Sequence, residues 1–108
     1  MDEATKILAL TESLLIWDYI AEHGCRKYTA IEHLYAAGAI WKADYLGGCP
    51  FCDCFARYGG CGVCLWPGIS SGRCLGSRAY QKYERAESIK ENQAAGRAML
   101  RFLGGIEI

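Results

Sequence analysis

Cys49-Pro50-Phe51-Cys52 and Cys61-Gly62-Val63-Cys64 form two C-x2-C pairs separated by eight residues, and Cys74 follows ten residues after the second pair. Two residues between thiolates let one tight turn aim both sulfurs at a single ion. Two such turns complete a tetrahedron with sulfurs ~2.3 Å from zinc. Gly59-Gly60, just ahead of the second pair, supplies the backbone freedom that a tight knuckle needs. This spacing points to a metal staple in the middle of the chain and says little about an activity.

The setting agrees with a metal. Seven cysteines in 108 residues is a high count, and an odd one, which fits complete disulfide pairing poorly. Met1-Asp2-Glu3 is acidic where a secretory leader is basic, and Glu12 and Asp18 interrupt the apolar run that follows. The expectation is a cytoplasmic protein without a membrane span, in a reducing compartment where grouped cysteines read as metal ligands. Zinc is the first expectation and an iron–sulfur cluster the alternative, since four to six thiolates suit either. Cys49, Cys52, Cys61 and Cys64 are the simplest ligand set, with Cys74 able to replace Cys61 or Cys64. Cys54 reads as a bystander and Cys25 as a core residue.

Elsewhere the pattern is helical. Apolar residues Ile7, Leu10, Leu14, Trp17 and Ala21 recur at spacings of three and four, widened by Leu8 and Leu15, which predicts an amphipathic helix from about Asp2 to His23 with Gly24 as its left-handed cap. Thr29 with Glu32 has the form of a capping box, opening a short helix that carries Ile31, Leu34 and Tyr35 and ends near Gly38. Residues 40–46 read equally as a helical turn or an extended lead-in. Ser77 is the expected N-cap of a last helix running to Leu103 on Tyr83, Ala86, Ile89, Gly96, Leu100 and Leu103, roughly 40 Å if continuous. Gly96 within it is a weak point or a close-packing contact. The expected fold is a mostly α single domain, with a helical region over 1–46, a Cys-rich metal-binding loop (a zinc knuckle) over 47–76 and a C-terminal helix over 77–105. Its terminal helices pack antiparallel or crossed.

Composition narrows the function. At 52% hydrophobic residues the chain is not expected to be disordered, and twelve basic against twelve acidic side chains exclude both a histone-like polycation and an acidic nucleic-acid mimic. The charge is nevertheless uneven: residues 1–48 hold four basic and seven acidic side chains, residues 49–108 eight and five. Arg57, Arg73, Arg78 and Lys82 stand among Phe51, Phe55, Tyr58, Trp66 and Tyr80, which marks Arg57, Trp66, Arg73, Arg78 and Lys82 as candidates for binding a partner or single-stranded nucleic acid. The blander reading packs the aromatics around the metal loop and leaves the arginines in solvent.

Catalytic signatures are lacking. An all-Cys site is closed and structural, whereas catalytic zinc keeps an open position. His23 and His33 read as solvated or capping and Asp53 as a loop carboxylate. There is no Walker-type loop, nucleophile elbow or dinucleotide fingerprint. A non-enzymatic role is expected.

The run Leu15-Ile16-Trp17-Asp18-Tyr19-Ile20-Ala21-Glu22, a short helix, the two Cys pairs with Trp66-Pro67 nearby, Gly72-Arg73-Cys74, Tyr80 and an Arg/Ala-rich last helix together resemble a group of small Cys-cluster proteins encoded by bacteriophages and prophages. The resemblance spans most of the chain, and its specificity lies in the Cys spacing and the Trp-bearing helix. It implies that the recurring cysteines are Cys49, Cys52, Cys61, Cys64 and Cys74. Cys54 departs from the group, as does the lack of a Trp-Pro before the first pair. The resemblance implies a phage context and brings no activity with it. The leading expectation is then a zinc-binding phage-type interaction protein that inhibits or redirects a host protein, such as a defence or CRISPR-type nuclease complex. A zinc-containing nucleic-acid-binding regulator and an iron–sulfur redox or sensing protein are the alternatives.

Overall fold

The computed structural model describes residues 3–40 and 78–104. Four helices account for them: α1 over Glu3–His23, α2 over Lys27–Ala36, α3 over Arg78–Arg85 and α4 over Ile89–Gly104. No strand occurs among the described residues, so the described part is all-helical, as expected. None of its helices is long and apolar enough to cross a membrane. The core is built mainly where α1 crosses α4, with α2 against α1 and α3 against α4.

The face that α1 buries is not the expected one. Ala9, Ser13, Ile16 and Ile20 are buried, flanked by Glu12 and Trp17, while Ile7, Leu8 and Leu15 are exposed. The buried stripe is turned by about 100°, one residue's step, from the 7-10-14-17-21 line. The cause lies in the sequence: α1 is apolar on two sides, and two polar residues, Glu12 and Ser13, sit on the side that packs. Hydropathy alone therefore selects the wrong edge.

Close approach marks where the two helices meet, at Ala21 on the edge of the buried stripe. A Cβ placed on Gly96 of α4 would stand 2.6 Å from the backbone N of Ala21 and 2.8 Å from its Cα. Gly96 is thus the point where the two helix backbones touch. That settles its role as a packing contact.

Gly24 ends α1 at φ +68°, the left-handed position expected for it, with its N–H donating to Ile20 O at 2.8 Å. It is also crowded: a Cβ there would stand 2.6 Å from Ile89 O and closer still to the Ile89 side chain. α2 begins at Lys27, two residues before the expected capping box, and its N-cap residue Arg26 makes no side-chain capping bond. Thr29 therefore lies inside the first turn. At the other end the expectation holds. Gly38 (φ +76°) donates to Tyr35 O at 3.0 Å and Ala39 to Leu34 O at 2.9 Å, the paired bonds of a Schellman ending.

The single C-terminal helix expected over 77–103 is two helices. α3 stops at Arg85, and α4 starts again at Ile89. Ser88 accounts for the restart: its Oγ accepts the Glu91 N–H at 3.1 Å and its carbonyl accepts the Asn92 N–H at 2.9 Å. Ser88 and Glu91 also have the capping-box spacing.

Candidate functional site

The Cys-rich segment leaves and re-enters the described structure at the core. Ile40, the last described residue before it, is buried, and so is Tyr80 in the first turn after it. Both join the cluster around Ile16, Trp17, Ile20 and Met99. Cys49, Cys52, Cys54, Cys61, Cys64 and Cys74 lie outside the described residues, as do Arg57, Trp66 and Arg73 and the undecided stretch 41–46. Among the described residues no group of three or more His, Cys, Asp or Glu side chains is placed to hold a metal ion. Cys25 is half-buried against the core, in keeping with its expected role, and burial pushes its thiol pKa up.

A polar lock joins the α1–α2 corner to the α3–α4 corner. At the first corner, α1 leaves carbonyls without helical partners. Asn92 Nδ2 donates to Gly24 O at 2.9 Å and Gln93 Nε2 to Glu22 O at 2.9 Å. At the second corner, the break after α3 frees carbonyls in turn. Arg26 Nη1 donates to Tyr83 O at 3.0 Å and to Asn92 Oδ1 at 2.9 Å, and its guanidinium lies 3.9 Å from the centre of the Tyr83 ring. A cation at the C-terminus of α3 also meets the negative end of that helix. Each corner supplies what the other lacks.

Next to this lock the aromatic core is ordered by polar tips. The Trp17 ring meets Tyr83 edge-on at 4.9 Å and Tyr80 at 6.1 Å. The Tyr83 hydroxyl accepts the Lys27 backbone N–H at 2.8 Å, and Lys27 Nζ donates to the Tyr80 hydroxyl at 2.6 Å. Tyr80 is therefore a core residue, 7% exposed, and not part of an aromatic-bearing surface.

The electrostatics of this pair make a prediction. Burial raises the Tyr80 pKa, and the hydrogen bond from Lys27 only partly offsets it. At Lys27 burial acts against the ammonium, but the hydrogen bond to Tyr80 and the oxygens of Tyr80, Tyr28 and Tyr83 outweigh it, so this pKa too is raised. Both groups hold their protons more tightly folded than unfolded. Their contribution to stability is complete below the ordinary values of about 10 and 10.4, and is lost as pH climbs through the raised ones. Thermal melting should fall above pH 10, beyond any loss that the buried Cys25 thiol contributes at lower pH, and Tyr80→Phe should flatten that fall above pH 10. An equal fall in the variant would remove the pair as its cause.

The structure brings two of the candidate binding residues together. Arg78 and Lys82 are exposed and line an open groove of about 580 Å³ with Arg85 and Lys90, between which stand Gln81, Glu91 and Ala94. None of these four cations is in an ion pair among the described residues. Arg85 and Lys90 join Arg78 and Lys82 through the break between α3 and α4, which the groove needs in order to exist. A second surface has no counterpart in the sequence reading. Tyr28 and Tyr35 are 63% and 50% exposed and lie seven residues apart on α2, with Glu32 between them. The i, i+4, i+7 spacing was the available signal. His23 and His33 are exposed, and their rings lie 4.2 and 5.8 Å from that of Tyr19, bridging α1 and α2. No family model matches the chain, and no curated protein or solved structure matches it.

Proposed function

We propose that this chain is a non-enzymatic, phage-type interaction protein whose Cys-rich segment holds zinc and whose helical frame docks a host protein, inhibiting or redirecting it. The observation that carries the docking reading is the outward face of α2. Tyr28, Glu32 and Tyr35 form one exposed strip, and tyrosines of this kind are frequent anchors of protein interfaces. The cation beside the strip, Lys27, is buried with its Nζ 5.6 Å from the Tyr28 ring centre and bonded to Tyr80, so the exposed strip suits a protein partner better than a nucleic acid. The metal reading rests on the two C-x2-C pairs, and the cellular setting on the phage resemblance. Cytoplasm of an infected bacterium is the compartment that goes with both.

A tagged pull-down from bacterial lysate, with and without nuclease, tests the reading. The wild-type chain should retain a stoichiometric protein partner that survives nuclease, and Tyr28→Ala/Tyr35→Ala should lose it at unchanged helicity. Truncating two interface anchors costs at least tenfold in affinity where each is worth ~1 kcal/mol or more. A partner retained equally by the double variant would place the interface elsewhere. Partners that vanish with nuclease would replace the protein with nucleic acid.

A further inference from the structure

We infer that the outward faces of α3 and α4 form a track for the phosphodiester backbone of single-stranded nucleic acid, read without regard to sequence. Burial fixes those faces. In α3, Tyr80 and Tyr83 are buried, which leaves Arg78, Lys82 and Arg85 on the solvent side at i, i+4 and i+7. In α4, Asn92, Ala95, Gly96, Met99 and Leu103 are buried, which leaves Lys90, Arg97 and Arg101 outward. Six exposed cations therefore follow two adjoining helix spines, about 10 Å long on α3 and about 16 Å on α4. Four of them, Arg78, Lys82, Arg85 and Lys90, wall the groove of about 580 Å³.

The chemistry of the track selects its occupant. Six cations spread over two helices, with Glu91 the one carboxylate among the described residues of the groove lining, fit a linear polyanion better than one discrete acidic group. Four of the six cations are arginines, whose fork matches a phosphate through two parallel hydrogen bonds. Among the described residues the lining is charged and polar apart from Ala94, so the contacts it offers fall on the phosphodiester backbone. An acidic protein segment would need an apolar anchor beside the charges, and among the described residues of the lining Ala94 is the one apolar side chain. The inference stands apart from the α2 docking face.

Fluorescence anisotropy of a labelled, mixed-sequence 20-nucleotide DNA strand, titrated with the full chain over a salt series, tests it. Six phosphate contacts, one per cation of the track, give a slope of about −4 in log K against log salt, at ~0.7 per contact. Arg85→Gln/Lys90→Gln should weaken binding at least tenfold at low salt and make the slope shallower by about 1.4. A second pair, Lys82→Gln/Arg97→Gln, should do the same; all four side chains are exposed, and circular dichroism checks that each variant folds. Tyr28→Ala/Tyr35→Ala should bind the strand as the wild type does, which separates this surface from the proposed protein-docking face. Absence of binding at low salt, or slopes unchanged in both charge pairs, overturns the inference. So does poly-glutamate displacing the strand at equal charge concentration, which assigns the groove to an acidic protein.

Discussion

Gly96→Ala should destabilise the protein by about 2–3 kcal/mol, although the same substitution in an unencumbered helix interior is stabilising by up to ~1 kcal/mol. The added methyl would stand 2.6 Å from Ala21 N and 2.8 Å from Ala21 Cα. Those are backbone atoms, so no rotamer change relieves the contact and α1 and α4 must move apart. That movement pulls on the core around Ile16, Ile20, Ala95 and Met99 and on the hydrogen bonds from Asn92 and Gln93 to the end of α1. At about 4–8 °C per kcal/mol for a small domain, the melting temperature should fall by ~10–20 °C. Gly104→Ala is the internal control. Its Cβ meets nothing within 4 Å, so that variant should melt at or slightly above the wild-type temperature. Two variants with equal melting points would mean that α1 and α4 do not touch at Gly96.

On the proposed zinc centre, removing the metal should be at least as damaging. Structural zinc sites bind with roughly 10–16 kcal/mol of apparent free energy, and where no site exists in the unfolded chain this is folding free energy. A small domain's whole stability is about 5–15 kcal/mol. Ile40 and Tyr80, the nearest buried residues of the described structure on either side of the Cys-rich segment, both belong to the core, so loss of the staple is expected to be felt there. Chelation is therefore expected to lower the melting temperature by more than about 15 °C and to reduce helicity. Unchanged melting and helicity after chelation would separate the metal from the fold.

What the sequence made legible depends on the range of the interaction. Gly24 and Gly38 were readable as helix ends because a left-handed residue is a local requirement, and both adopt positive φ. The break at residues 86–88 had a local sign as well, the Ser88/Glu91 capping box. An apolar stripe running unbroken through Tyr83, Ala86 and Ile89 masked it. The deciding factor there is long-range: Arg26 accompanies the break by bonding the Tyr83 carbonyl from 57 residues away. The α1 face was misplaced because two polar residues, Glu12 and Ser13, are buried on the side that packs, and hydropathy assigns such residues to solvent. Whether Tyr80 faces outward or packs was left open by the sequence, since its partners Trp17 and Lys27 come from the other end of the chain. Of the candidate site, Arg78 and Lys82 were identified as charges, but the groove they share with Lys90 appears only once the last helix folds back as two.

The central claim is that the two C-x2-C pairs hold a structural zinc on which the helical frame depends. Metal analysis of the anaerobically purified chain, before and after chelation and with melting followed on the same samples, tests it most directly. The account predicts a colourless protein with one zinc per chain, lost together with cooperative melting on chelation and absent from Cys49→Ser/Cys52→Ser. A brown, iron-containing protein would contradict the zinc assignment, and a metal-free chain that melts as cooperatively as the untreated one would contradict the staple itself.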